Sequence, residues 1–377
     1  MKQWGLLAEI ESASIKPVDF TIRRYEDGKI LSVTNMVPTA NERYGAPYLH
    51  IHRADYHRAL TKKARELGVD IQLDSAVTAI DFEKPAVRIN GKPDVEADIV
   101  VGADGLKSVC REKLLGRSDP PHLTGEMAYR VVVKTEDMLQ HAELSELVEE
   151  PRMTYWAGPH AHVIGYPLKR DGLYNIVLAC PDTLPEFVQN AKADLKGMND
   201  SLEGWDPKLR TLLGLVKETS KWKLQNSQEM QEWSHPSGKF VLLGDACHAT
   251  LPYMAQGAAM AVEDGAVLGA LMEKIETKDQ IRDVLVIYEQ IRKERTTRVV
   301  RRSTAAGHFF HMPDGDRQRE RDRQLLEVEP FEGYPNHWND PVLQPWLFGY
   351  CVEEEVDKAW ATYKDGKIPL TFGNHRV

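Results

Sequence analysis

The sequence predicts a mixed α/β fold, and three stretches carry that expectation. Phe240-Val241-Leu242-Leu243 is a short apolar run of the length and type of a buried strand, closed by Gly244-Asp245. A loop with Pro252 and Gly257 leads from it into small residues that read as a helix from about 258 to 272. Residues 95–101 read as a second strand, which runs into Gly102-Ala103-Asp104-Gly105 and then a helix. Between these two units, residues 129–134, 152–156, 162–166 and 174–180 read as strands with short polar connections.

In chain order, residues 1–14 read as a helix. Residues 20–25 and 30–33 flank Asp27-Gly28, a good hairpin signal. Residues 38–47 read as a loop, and His52-Arg53 opens a helix that Gly68 ends. Residues 69–73, 77–82 and 86–89 read as strands, the last two followed by an Asn90-Gly91 turn. Ser108 stands where it caps the next helix, and Arg111 stands where it can lie near phosphate. Helical segments and loops follow the central strands to about Thr219, and Trp222-Lys223-Leu224 returns the chain. Residues 281–307 form a long charged helix, on which the basic run 292–302 reads as one face rather than a binding patch.

Composition bounds the function. The chain has 377 residues, room for about two domains, and 42% hydrophobic content, enough for a sizeable core. A net charge of -9 argues against nucleic acid as a general partner. Cys110, Cys180, Cys247 and Cys351 are scattered without a C-x-x-C pair, which argues against a zinc site or a disulfide scaffold and fits a reducing, cytoplasmic setting. No apolar stretch reaches membrane length, and the first residues lack the pattern of a signal peptide.

The unit at 240–272 is the chemically suggestive one. A strand end, a loop and a helix N-terminus expose backbone N–H groups to a polar, anionic ligand. Asp245 at the strand end is placed to accept hydrogen bonds from sugar-like hydroxyls. Ala258, Ala259, Ala261, Gly265, Ala266, Gly269 and Ala270 keep the helix slim, so that a large planar ligand or a sheet can approach its backbone.

Gly244-Asp245-Ala246-x-His248, Pro252, Gln256-Gly257 and Glu263-Asp264 resemble the second flavin motif of the FAD-dependent aromatic-ring monooxygenases (group A flavoprotein hydroxylases), in particular the salicylate-hydroxylase-like branch. The strand running into Ala103-Asp104-Gly105-x-x-Ser108-x-x-Arg111 resembles that family's other motif. Tyr129-Arg130, Gly165-Tyr166-Pro167 and Trp222 also look like sequence of this branch. The resemblance implies an incomplete Rossmann-like FAD-binding domain over 1–120, including the hairpin 19–37, and over 236–310. It implies an inserted β-sheet substrate domain over 121–235 and a helical C-terminal segment over 311–377.

The function implied is hydroxylation of a small phenolic or aromatic-acid metabolite. FAD, NAD(P)H and O2 would take part, and a flavin C4a-hydroperoxide would deliver the oxygen. The cofactor-binding residues implied are Arg53, Asp104, Asp245, Pro252, Gln256, Gly257 and Ala258, with no metal. No catalytic base is assigned, and His248 is expected to be structural. The chain departs from the family pattern in one respect: no two glycines stand two apart, so the G-x-G-x-x-G dinucleotide turn is absent. The sequence is therefore expected to start inside the pattern, without the first βαβ unit. A truncated or degenerate flavin-fold protein without redox activity is the alternative reading.

Overall fold

The computed structural model describes residues 1–35, 39–327 and 329–368. They form two compact units: Met1–Ile71, Gly125–Leu224 and His308–Tyr350 make the first, and Gln72–Thr124, Gln225–Gly307 and Cys351–Val377 the second.

The first unit is built on an eight-stranded sheet. Ala161–Leu168 pairs antiparallel with Met153–Gly158 on one side and with Leu173–Pro181 on the other. Leu173–Pro181 pairs in turn with His122–Lys134. The expected N-terminal hairpin is present as Asp19–Arg24 and Ile30–Asn35. Its first strand runs parallel to Met153–Gly158, so the hairpin extends this sheet.

Side chains alternate between the two faces of a strand, and here the faces differ in kind. Tyr129, Val131, Val133, Trp156, Val163, Tyr174, Ile176 and Leu178 enter a core closed by Met198, Leu202, Leu209, Leu212 and Leu213. The residues between them in sequence, Arg130, Val132, Tyr155, His162, Ile164, Tyr166, Asn175 and Val177, occupy the opposite face. Val132 is 54% exposed there, so part of that face is open.

The first fourteen residues form less helix than expected. Only Leu7–Ser12 is helical, with turns before it. Leu6 and Ile10 are buried against Ala59 of the helix Arg53–Glu66. That helix starts where the sequence indicates: His52 is its N-cap, and the Nδ1 of His52 accepts the N–H of Ala54 at 3.2 Å. The expected loop at 38–47 contains a short helix, Thr39–Tyr44, while residues 36–38 lie outside the described residues. The expected strand at 69–73 does not form. Val69 is 53% and Leu73 73% exposed, and the segment has no strand neighbour among the described residues.

In the second unit, Phe240–Leu242 pairs parallel with Val100–Gly102. The strand expected over 95–101 is two strands. Val95–Glu96 pairs antiparallel with Ala86–Ile89, and only Val100–Gly102 joins the parallel pair. Gly102 is fixed by packing, since a Cβ there would lie 2.6 Å from Leu242 Cδ2 and 2.8 Å from Cys110 Cβ. Helices Gly257–Met272, Ile281–Phe310 and Val352–Lys364 complete the unit. Its core joins Phe240, Val241, Leu242, Val267, Leu271, Val284, Tyr288 and Trp360. Among the described residues, no helix is long and apolar enough to cross a membrane.

Candidate active site

The two loops that follow the parallel strands are tied together by Arg111. Its guanidinium donates to Ala246 O at 3.0 Å, Leu106 O at 2.8 Å and Asp119 O at 3.0 Å, and pairs with the Asp119 carboxylate at 2.9 Å. Arg111 is only 1% exposed. The expectation that it lies near phosphate is therefore corrected: its donors are spent inside the protein, where they hold one loop against the other. Ser108 caps the intervening helix as expected, accepting the N–H of Arg111 at 2.8 Å. Asp104 organises the same turn, accepting Ser108 Oγ at 2.5 Å and the N–H of Cys110 at 3.0 Å. Burial pushes the Asp104 carboxyl up, but those donors outweigh it and hold it below its ordinary value.

A buried ionic network positions Gly244. Asp264 accepts the N–H of Gly244 at 2.8 Å, pairs with His248 Nε2 at 2.6 Å and pairs with Arg292 Nε at 2.7 Å. Glu263 meets Arg292 and Arg295, each at 2.8 Å. Part of the basic run at 292–302 is thus absorbed within the fold. Gly244 holds φ +62°, and a Cβ on it would lie 3.2 Å from Ala261 Cβ. The loop can therefore sit close against the helix only through glycine.

Beyond that network the remaining motif residues are more open. Asp245 and Pro252 are exposed. Asp245 takes part in no hydrogen bond or ion pair among the described residues. Pro252 begins a short 3-10 turn that ends at Ala255 in the left-handed region, φ 52°. Gln256 follows, its Nε2 donating to Met254 O at 3.2 Å. The helix then starts at Gly257 without a side-chain cap, and Ala258, Ala259, Gly265 and Gly269 are exposed along it.

In the first unit, the open sheet face carries rings and positive charge. His50 is 7% exposed and lies with its ring centroid 4.8 Å from that of Tyr166 and 5.4 Å from that of Tyr48. Arg53 is the first residue of its helix, exposed and without a hydrogen bond or ion pair among the described residues. Arg130 lies 5.3 Å over the Trp222 ring, with no carboxylate partner among the described residues. Desolvation, and then the charge of Arg53, hold Arg130 below its ordinary value. Burial raises Tyr166, while Arg130 and Arg53 pull it back.

Comparison with known proteins decides the family. A family model described as FAD binding domain matches residues 1–303. The chain belongs to the FAD-binding monooxygenases. It is 39% identical over 370 residues to the FAD-dependent monooxygenase OpS4 of Beauveria bassiana, covering 97% of this chain and 86% of the relative. It is 34% identical over 351 residues to the 3-amino-4-hydroxybenzoate 2-monooxygenase PtnB3 of Streptomyces platensis, covering 92% and 82%. Its fold matches a salicylate hydroxylase substrate complex with a TM-score of 0.79 at 23% identity, over 95% of this chain and 87% of that one.

The residues of this monooxygenase fit FAD. A ribityl and diphosphate chain needs acceptors for hydroxyls and donors for phosphate. The exposed Asp245 carboxylate would serve as the former, and the uncapped N–H groups at Gly257 and Ala258 as the latter. Of the sequence-derived site residues, Asp104, Asp245, Pro252, Gln256, Gly257 and Ala258 lie in the second unit, and Arg53 lies in the first. Reading the sequence missed His50, Tyr48 and His162. His162 stands four residues before Tyr166 on one strand, and so on the same face, a spacing that was available to find it.

Proposed function

We propose that this monooxygenase hydroxylates a small aromatic acid or phenol with NAD(P)H as reductant, and that it works in the cytoplasm. The observation that carries the proposal is the open sheet face. It offers the rings of Tyr48 and Tyr166 beside two guanidiniums, Arg53 and Arg130, that have no carboxylate partner among the described residues. Rings set against a planar substrate and cations set against its carboxylate or phenolate suit an anionic aromatic molecule. The Streptomyces platensis relative is named for such a substrate, a hydroxybenzoate. The cysteines Cys110, Cys180, Cys247 and Cys351 are all free thiols, which fits a reducing compartment.

Bound FAD would supply the redox chemistry, taking electrons from NAD(P)H and activating O2. The protein's share is placement and charge. Asp245 holds hydroxyls of the cofactor chain, and the helix N-terminus at Gly257 and Ala258 faces negative charge. Asp104 keeps its loop in shape, while Pro252 and Gln256 shape the rim beside the helix. Arg53 offers its free guanidinium to an anionic group of the cofactor. Arg130, held over Trp222, orients the substrate anion.

The test is NADH and NADPH oxidation by the flavin-loaded protein across a panel of hydroxybenzoates and aminohydroxybenzoates. At least one should stimulate oxidation and yield a product that carries one oxygen atom from labelled O2. Arg130→Met should raise KM for that acid about tenfold or more, the worth of a charge-assisted hydrogen bond. If no aromatic acid or phenol stimulates turnover, the proposal is wrong.

A further inference from the structure

Asn175 breaks the pattern of the strand that carries it. Leu173–Pro181 lies inside the eight-stranded sheet, between Ala161–Leu168 and His122–Lys134. Asparagine is disfavoured in such strands, where β-branched and aromatic side chains pack best. Its amide carries two N–H donors and a carbonyl acceptor. Yet the side chain makes no hydrogen bond among the described residues, and the residue is only half-buried. No bond within the fold accounts for an amide at this position, and departures of that kind gather at functional sites.

Strand register fixes what surrounds Asn175 on the open face. Tyr166 stands directly opposite on one side and Val132 on the other. Val132 is an apolar side chain left uncovered there. Arg130 precedes Val132 by two residues on the same strand, and so shares its face. The Arg130 guanidinium lies 5.3 Å over the ring of Trp222. Trp222 belongs to Ser220–Asn226, the strand beyond His122–Lys134, so the guanidinium reaches away from Asn175. Arg130 and Asn175 are diagonal neighbours, about 7–8 Å apart at the backbone. A cation and a free amide are thus held apart with an apolar floor between them. That separation is wider than the spacing of adjacent substituents on one aromatic ring.

We propose that Asn175 is a specificity-determining residue, whose amide hydrogen-bonds a hydroxyl or amino group meta or para to the carboxylate of an aromatic acid held by Arg130. This deepens the hydroxylation reading above and rests on it. The carboxylate takes Arg130, the ring covers Val132, and the ring substituent meets the amide. An amide both donates and accepts, so hydroxyl and amino groups suit it alike. An ortho substituent stays beside the carboxylate, on the Arg130 side, and does not reach Asn175. An unsubstituted ring leaves the amide unpaired beneath it, which costs affinity. A site that hydrogen-bonds a substituent in this way discriminates against the analogue that lacks it.

The test is calorimetric titration of the flavin-loaded protein with benzoate and with 2-, 3- and 4-hydroxybenzoate, in wild type, Asn175→Leu and Arg130→Met. Wild type should bind 3- or 4-hydroxybenzoate about tenfold tighter than benzoate, the worth of one hydrogen bond, with 2-hydroxybenzoate close to benzoate. Asn175→Leu should erase that margin by weakening the substituted acid and not benzoate. A packing role for Asn175 would instead weaken every acid together. No margin in wild type, a margin for 2-hydroxybenzoate alone, a margin that survives in Asn175→Leu, or an equal loss for all the acids overturns the proposal. Arg130→Met should weaken every acid. If it does so while Asn175→Leu leaves the margin intact, the role of Asn175 fails and the hydroxylation reading stands. If Asn175→Leu fails to fold, Asn175→Val, which suits a strand better, is titrated in its place. If wild type binds none of the acids, the hydroxylation reading of this face fails, and the proposal fails with it.

Discussion

Asp264 offers the sharpest test of how the flavin loop is held. Its side chain is fully buried and accepts from Gly244, His248 and Arg292. Asp264→Asn keeps the size and removes the charge. Each charge-assisted hydrogen bond contributes about 1.5–3 kcal/mol. Their plain sum overstates the loss, because holding the carboxylate in the interior costs several kcal/mol of desolvation. The variant leaves Arg292 buried without the Asp264 charge, beside Glu263, whose carboxylate is shared with Arg295. Breaking a buried pair from one side costs about 3–5 kcal/mol, and that is the destabilisation expected.

Urea unfolding followed by tryptophan fluorescence reads the loss directly. Trp233 is 2% exposed, and its ring centroid lies 5.3 Å from that of His248, beside the network. The pH dependence carries a sign. Burial pushes the Asp264 carboxyl up, but the His248 hydrogen bond and Arg292 outweigh it and hold the group below the ordinary carboxylate range. A depressed carboxyl stabilises the fold above its unfolded pKa and loses that contribution as pH falls through the folded value. The gap between wild type and Asp264→Asn should therefore be constant from about pH 5 to 8 and close in acid. A gap below about 1 kcal/mol at pH 7, or one that widens in acid, refutes the reasoning.

Two further outcomes follow from single residues. Asp245→Ala should weaken FAD binding by about ten- to a hundredfold, the worth of one charge-assisted hydrogen bond, measured as flavin retained on dialysis. His50 is buried with neither ring nitrogen hydrogen-bonded among the described residues, and burial lowers it from 6.5 to about 4. Neutral His50 therefore supports the fold above pH 6.5, and that support is lost as pH falls toward 4. Between those limits wild type should lose up to about 3 kcal/mol more than His50→Phe, which should be no less stable at pH 7. Equal acid sensitivity of the two proteins in urea titrations would contradict this.

What the sequence disclosed was what neighbouring residues decide together. The hairpin at Asp27-Gly28, the helix start at His52-Arg53, the Ser108 cap, the central strands and the small-residue helix at about 258–272 all follow from local pattern. The misses were matters of partnership. Residues 95–101 look like one strand, but their two ends pair with different neighbours. Residues 69–73 have the composition of a strand and no strand beside them among the described residues. Glu126 and His162, which both meet His311 in the fold, stand 185 and 149 residues from it, and no periodicity connects positions that far apart.

The motif residues sort themselves by what they already hold. Asp104 is occupied by Ser108 and Cys110, Glu263 by Arg292 and Arg295, and Asp264 by three donors. Arg111, which spacing alone places within reach of phosphate, has turned inward to tie the loops. Spacing fixes the position of a side chain along a helix; its direction is set by the acceptors that the rest of the fold supplies. Of the four acidic residues in the two motifs, Asp245 alone is exposed and without a hydrogen bond or ion pair among the described residues. A carboxylate that the fold leaves unused, on a loop held still by an ionic network centred on the buried Asp264, is the one whose loss should be felt by the ligand more than by the fold. Asp264→Asn and Asp245→Ala should therefore separate, the first lowering stability and the second lowering flavin affinity at nearly unchanged stability.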